Sequence, residues 1–243
     1  MNRSEAFDGI LARLQGMAWR LGALLVVVCL LVPPASLIYA ALTDQPWWRL
    51  FRAEGNLTDW WSSMQLVILG LLAWANGWLR TLMERVGLLA PWSLGAVWRV
   101  TALGFLLLAL DERFNYHEWL RDELFRAHDW FTHSKYIIAG DVGLYLFFLV
   151  GLTVVPLLLA ELRARLTAAR LLIAGLVLSV PLLVIDSLQD RVMRQWWNWR
   201  FWDYFFEEQG EIVAQLLFAL ALLMLIHHRL GQWRAALASE RES

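Results

Sequence analysis

Six apolar runs, each close to twenty residues and separated by short polar connections, constrain this chain more than any other feature. About 20 apolar residues cross the ~30 Å hydrocarbon core of a bilayer as a helix. The runs lie at 17–42, 60–80, 92–112, 137–160, 169–187 and 210–228. Composition agrees: 59% of residues are hydrophobic and only 18% charged, which is wrong for a soluble domain of this size. The expected architecture is an all-α polytopic membrane helical bundle of about six transmembrane helices, in one domain over residues 1–243. The formal net charge of −1 gives no electrostatic reason to expect a nucleic-acid partner. Membrane lipid is the expected partner, and a bacterial inner (cytoplasmic) membrane the expected location.

The run at Leu21–Val32 follows basic residues and so has the outline of a signal peptide, but a long amphipathic stretch precedes it. It is read as an uncleaved first span. In residues 1–16, Phe7, Ile10, Leu11 and Leu14 follow i, i+3, i+4, i+7 spacing, which suits an interfacial helix on the inner surface. Pro33-Pro34 should kink or break the first span, because proline removes a backbone donor and clashes with the preceding turn. Thr58, ahead of Asp59-Trp60-Trp61, reads as the N-cap of the second.

Orientation follows the basic residues. An inside N-terminus puts twelve of the 21 Arg and Lys on the cytoplasmic side, among them Arg80, Arg163, Arg165, Arg170 and Arg229 at span ends. The reading is N-in/C-in. All but six of the 22 acids then fall outside. Acids contribute little to topology, so their asymmetry needs another cause.

Depth supplies a candidate. With Arg99 at the inner interface, Asp111 lies ~18 Å along a helix from it, short of the ~30 Å crossing. Asp111 and Glu112 would then sit in the outer half of the bilayer, where an ionisable group is a functional-site candidate by default. On a continuous helix Asp111, Asn115, Glu118 and Asp122 share one stripe, with His117 on the adjacent face. Asp59, Asp141, Asp186, Asp190, Glu208 and Glu211 bring further acids to the same level.

Carboxylates with one imidazole suit a hard or borderline divalent metal such as Zn, Fe, Mn or Ca. The candidate ligands are His117, Glu118, Asp111, Glu112 and Glu211, with Glu118 and Asp111 as candidate catalytic carboxylates. His128 and His133 lack zinc-protease spacing and read as a polar loop pair. Cys29, the only cysteine, excludes an intrachain disulfide. Segment 195–206, carrying four of the 16 tryptophans, reads as an interfacial aromatic belt together with Trp47-Trp48 and Trp60-Trp61.

Two functions follow as expectations. One is a metal-dependent membrane enzyme acting on a lipid-like substrate at the outer leaflet. The other is a non-catalytic membrane subunit, or an ion- or proton-handling protein, whose acids pair with arginine.

Overall fold

The computed structural model describes residues 3–43, 57–89, 95–125, 128, 130, 142–163, 165–192 and 200–242. Among them the secondary structure is helical throughout: α1 (Arg3–Leu42), α2 (Leu57–Arg85), α3 (Gly95–Phe114), the single turn α4 (Tyr116–Trp119) running into a π-helical turn (Leu120–Phe125), α5 (Val142–Leu162), α6 (Leu166–Val192) and α7 (Arg200–Glu242). Among the described residues three stretches, Glu5–Tyr39, Leu57–Arg85 and Glu208–Ser239, are long and apolar enough to cross a membrane. Phe148–Leu162 and Leu166–Leu182 are shorter apolar stretches. The expected third span is α3, whose 20 residues include Arg99, Asp111, Glu112 and Arg113.

Two local expectations are revised. α1 runs unbroken through Pro33-Pro34. The hydroxyl of Ser36 donates to the Val32 carbonyl at 3.0 Å, one turn back along the same helix. Residues 3–16 continue the same helix, with Leu11 buried and Phe7 edge-on to Trp233 of α7. α2 begins at Leu57, so Thr58 lies inside the first turn, 1% exposed.

α2 and α7 form the centre and run parallel, since Ser62 bonds Gln215 near their N-terminal ends and Asn76 bonds Leu222 further along both. α1 packs antiparallel on α7: Gly22 faces Leu220 and Leu223, while Gln15 donates to the His227 carbonyl. α3 packs antiparallel on α2 by close approach at glycine. A Cβ on Gly77 would lie 2.8 Å from Trp98 Cβ, and one on Gly70 would lie 2.8 Å from Leu106 Cγ. α6 meets α7 in the same way, through Gly175 at Phe218 and Gly210 at Leu182. Small residues at the seams suit a bundle held by close packing and interhelical hydrogen bonds. Outside, Leu24, Leu30, Leu31, Leu149 and Val177 are exposed, a surface suited to hydrocarbon rather than water.

Candidate functional site

The inner face of α2 carries Thr58, Ser62, Gln65, Asn76 and Arg80, all buried. Polar side chains inside an apolar bundle must find partners, because an unpaired one costs the desolvation of its polar groups. Here the partners come chiefly from α7. From Thr58 to Arg80 the face extends about 33 Å at 1.5 Å per residue, and its middle is dry: Leu66, Leu69, Leu72 and Ala73 are at most 7% exposed. The polar residues therefore fall into two groups, one at each end.

The first group lies at the N-terminal end of α2. Glu112 of α3 is in hydrogen-bonding reach of Ser62 and electrostatically coupled to Asp59. Glu208 of α7 reaches both Asp59 and Thr58. Three helices thus each bring a carboxyl group to the region of the Thr58 and Ser62 hydroxyls. An ionised carboxylate only accepts hydrogen bonds, so Asp59 and Glu208 can bond each other only through a shared proton. Beneath them Gln215 Nε2 donates to Ser62 Oγ at 2.8 Å. Gln65 Nε2 donates to the Ile212 carbonyl at 3.2 Å and to Cys29 Sγ at 3.3 Å. Three acceptor oxygens in this region are buried without a hydrogen-bond partner: Glu208 Oε2, Gln215 Oε1 and Gln65 Oε1.

Beside this group the helix is interrupted. α3 ends at Phe114, and Asn115 is left-handed at φ 49°, ψ 45°, a conformation that Asn adopts more readily than most residues. The turn folds His117 back onto Asp111, whose Oδ1 accepts from the His117 backbone N–H at 2.8 Å while Oδ2 lies 2.9 Å from Nδ1. The expected stripe of Asp111, Asn115, Glu118 and Asp122 is therefore broken at Asn115. α7 carries Glu211 at intermediate exposure.

The expected metal set is described only in part, because the Glu118 side chain lies outside the described residues. Among the described residues no group of three or more His, Cys, Asp and Glu is placed to hold a metal ion, and only Asp111 and His117 of that set are joined directly by a hydrogen bond. The turn joins those two residues to each other. The side chains of Glu118, Asp186 and Asp190, together with Asp141 and His133, lie outside the described residues. So do Trp47-Trp48 and the side chains of the aromatic segment. His128 is exposed, its Nδ1 2.8 Å from the Leu124 carbonyl and its ring against Trp130. Trp60 is exposed with the Arg113 guanidinium over its ring.

The second group, at the C-terminal end of α2, was missed as a site because its arginines read as topology markers. Glu161 of α5 pairs with Arg80 of α2 and Arg229 of α7, and Arg80 also pairs with Glu84 at 2.8 Å. Arg229 donates to the Asn76 backbone carbonyl at 2.7 Å and to its Oδ1 at 3.1 Å. Asn76 Nδ2 in turn donates to the Leu222 carbonyl. The Arg229 guanidinium stands 5.3 Å from the ring centroid of the fully buried Trp98, a distance at which cation–π attraction operates. Spacing held one signal: Asn76, Arg80 and Glu84 recur every four residues on one face of an apolar helix.

A family model described as a domain of unknown function matches residues 19–226. No curated protein and no solved structure matches the chain.

Proposed function

The chain belongs to the family that this model defines, DUF8692, and we propose that it is a proton- or ion-handling membrane protein whose working site is the carboxyl cluster Asp59, Glu112 and Glu208. The reading takes six spans in an N-in/C-in arrangement in a bacterial inner membrane, which puts the cluster near the outer surface and the Arg80–Glu161–Arg229 network near the inner one. The observation that carries it is that carboxyl groups from α2, α3 and α7 interact electrostatically beside the Thr58 and Ser62 hydroxyls within a bundle. Neighbouring carboxyl groups relieve their repulsion by taking up a proton or a cation. The buried apolar stretch from Leu66 to Ala73 separates the two polar ends of this face, which supports a site that exchanges with one side rather than an open pore.

Proteoliposomes with entrapped pH dye test the reading. Acid pulses from the side of Asp59 should be buffered by the protein in a way that Glu208→Gln removes, with no sustained flux across the membrane. Equal buffering by wild type and Glu208→Gln contradicts it.

A second reading rests on Asp111 and His117. A carboxylate that holds Nδ1 of an imidazole is the arrangement that orients a catalytic or metal-bound histidine, and it keeps alive a divalent-metal enzyme acting on a lipid-like substrate, with Zn, Fe, Mn or Ca bound at His117 and Glu118. Metal analysis of the detergent-purified protein decides it: stoichiometric metal lost in His117→Ala supports the enzyme, and metal-free protein removes it.

A further inference from the structure

α5 is held at its C-terminal end and stands free along its middle. Leu158 and Leu162 are buried, and Glu161 pairs with Arg80 and Arg229. About two turns earlier, Leu149, Val150, Gly151, Leu152 and Thr153 are all exposed. Five successive residues run more than once round a helix of 3.6 residues per turn, so at this level α5 is clear on every side. A Cβ on Gly151 would meet nothing within 4 Å, whereas Gly70, Gly77, Gly175 and Gly210 each seat a neighbouring helix.

The same stretch is weak as a helix. Pro156 has no N–H to give the Leu152 carbonyl, and Gly151 adds backbone freedom. Thr153 Oγ1 donates to the Val150 carbonyl at 2.7 Å, three residues back, where the hydroxyls of Ser36, Thr81 and Ser179 each bond four residues back. Proline and hydroxyl back-bonding both bend helices. Packing decides what a proline does here: Pro33-Pro34 of α1 lie between Val32 and Ser36, which are buried, and α1 runs on unbroken.

α5 packs against α3 and α6. Both start near its fixed end, α3 where Trp98 lies under Arg229 and α6 four residues after Leu162. From Glu161 the free turn is about 12–18 Å along α5 at 1.5 Å per residue. The same rise from Trp98 reaches Leu107 and Leu110 of α3, and from Leu166 it reaches Val177 of α6, all exposed. Three helices thus carry exposed apolar side chains at one level. We propose that α5 is a hinged gate. Its N-terminal arm swings about Gly151–Pro156 between standing clear and packing on those side chains of α3 and α6, while Glu161 keeps its C-terminal arm fixed. Standing clear, the arm leaves a lateral cleft for lipid chains; packed, it closes that cleft. The gate does not depend on the carboxyl cluster.

The full-length protein with Cys29→Ala is spin-labelled in pairs in lipid nanodiscs, and distances are measured by double electron–electron resonance. Leu146→Cys with Val177→Cys reports the moving arm, and Leu157→Cys with Ile173→Cys the fixed one. The first pair should give two populations, or one distribution about twice as wide as that of the second. Pro156→Leu, which restores the missing N–H, should reduce the first pair to one narrow population and leave the second unchanged. Gly151→Ala, whose methyl group meets no neighbour, should narrow the first pair in part and covers the case in which Pro156→Leu does not fold. Circular dichroism establishes folding. A first pair as narrow as the second overturns the inference, as does a broad first pair that the folded variants leave unchanged. Narrowing by Pro181→Leu alone would put the motion in α6 and overturn it equally.

Discussion

Arg229 of α7 donates to both oxygens that Asn76 of α2 presents, the backbone carbonyl at 2.7 Å and Oδ1 at 3.1 Å. That double contact ties the two central helices at the same end where Glu161 ties in α5. Glu161 is 8% exposed as a side chain and balances two buried guanidinium groups.

Removing one member of a buried ion network leaves the others uncompensated, a loss of about 3–5 kcal/mol. Glu161→Ala should therefore be the most destabilising single change in this region. The triple variant Arg80→Met, Glu161→Leu, Arg229→Met should recover part of that loss, because the new apolar groups need no partners and only Glu84 and Asn76 Oδ1 lose a donor. Reversible unfolding in mixed micelles measures both, and a triple variant less stable than Glu161→Ala would show that the network contributes more than charge balance.

Close helix approach makes a second prediction that separates two glycines. A methyl group at Gly77 meets Trp98 Cβ, the root of a fully buried side chain, so α2 and α3 must move apart, at a cost of about 1–3 kcal/mol. At Gly175 the methyl group meets the rim of the Phe218 ring, which can rotate aside. Gly77→Ala should lower stability more than Gly175→Ala in the same unfolding assay.

The turn that brings His117 to Asp111 depends on Asn115 at φ 49°. Asn115→Gly should be tolerated. Asn115→Val, which places a β-branched residue in the left-handed region, should cost about 1–2 kcal/mol and raise amide exchange across residues 116–125. Equal exchange in the two variants would mean that the Asp111–His117 contact does not depend on this turn.

These cases show what was legible beforehand and what was not. The helical class, the apolar runs and the acids at one end all follow from local sequence, because hydropathy and helical period are properties of a single element. Asp59, Glu112 and Glu208 were visible as acids at helix ends, but their meeting depends on how α2, α3 and α7 rotate about their axes. The break at Asn115 was hidden because helical spacing continues through it on paper. Arg80 and Arg229 read as interfacial markers, since arginine at the end of an apolar run usually extends to the headgroups. Glu161 from α5, together with Glu84, Asn76 and Trp98, holds them inward.

Topology is tested independently of the site. Reporter fusions after Arg165 and after Arg234 should both score cytoplasmic, and one near His128 extracytoplasmic. The alternating direction of the packed helices requires the first two to agree. If they fall on opposite sides, the six-span arrangement is lost, and with it the location of the carboxyl cluster near the outer surface.

The most direct measurement is infrared difference spectroscopy of the reconstituted protein across a pH titration, comparing wild type with Asp59→Asn, Glu112→Gln and Glu208→Gln. If Asp59, Glu112 and Glu208 form one site that shares a proton, the wild type will show a protonated-carboxyl C=O band. Glu208→Gln will remove it, and substitution at either Asp59 or Glu112 will shift it, because each changes the charge or hydrogen bonding beside Glu208. A spectrum in which each substitution deletes a separate band and leaves the others in place would mean three independent carboxyl groups, and would contradict the account.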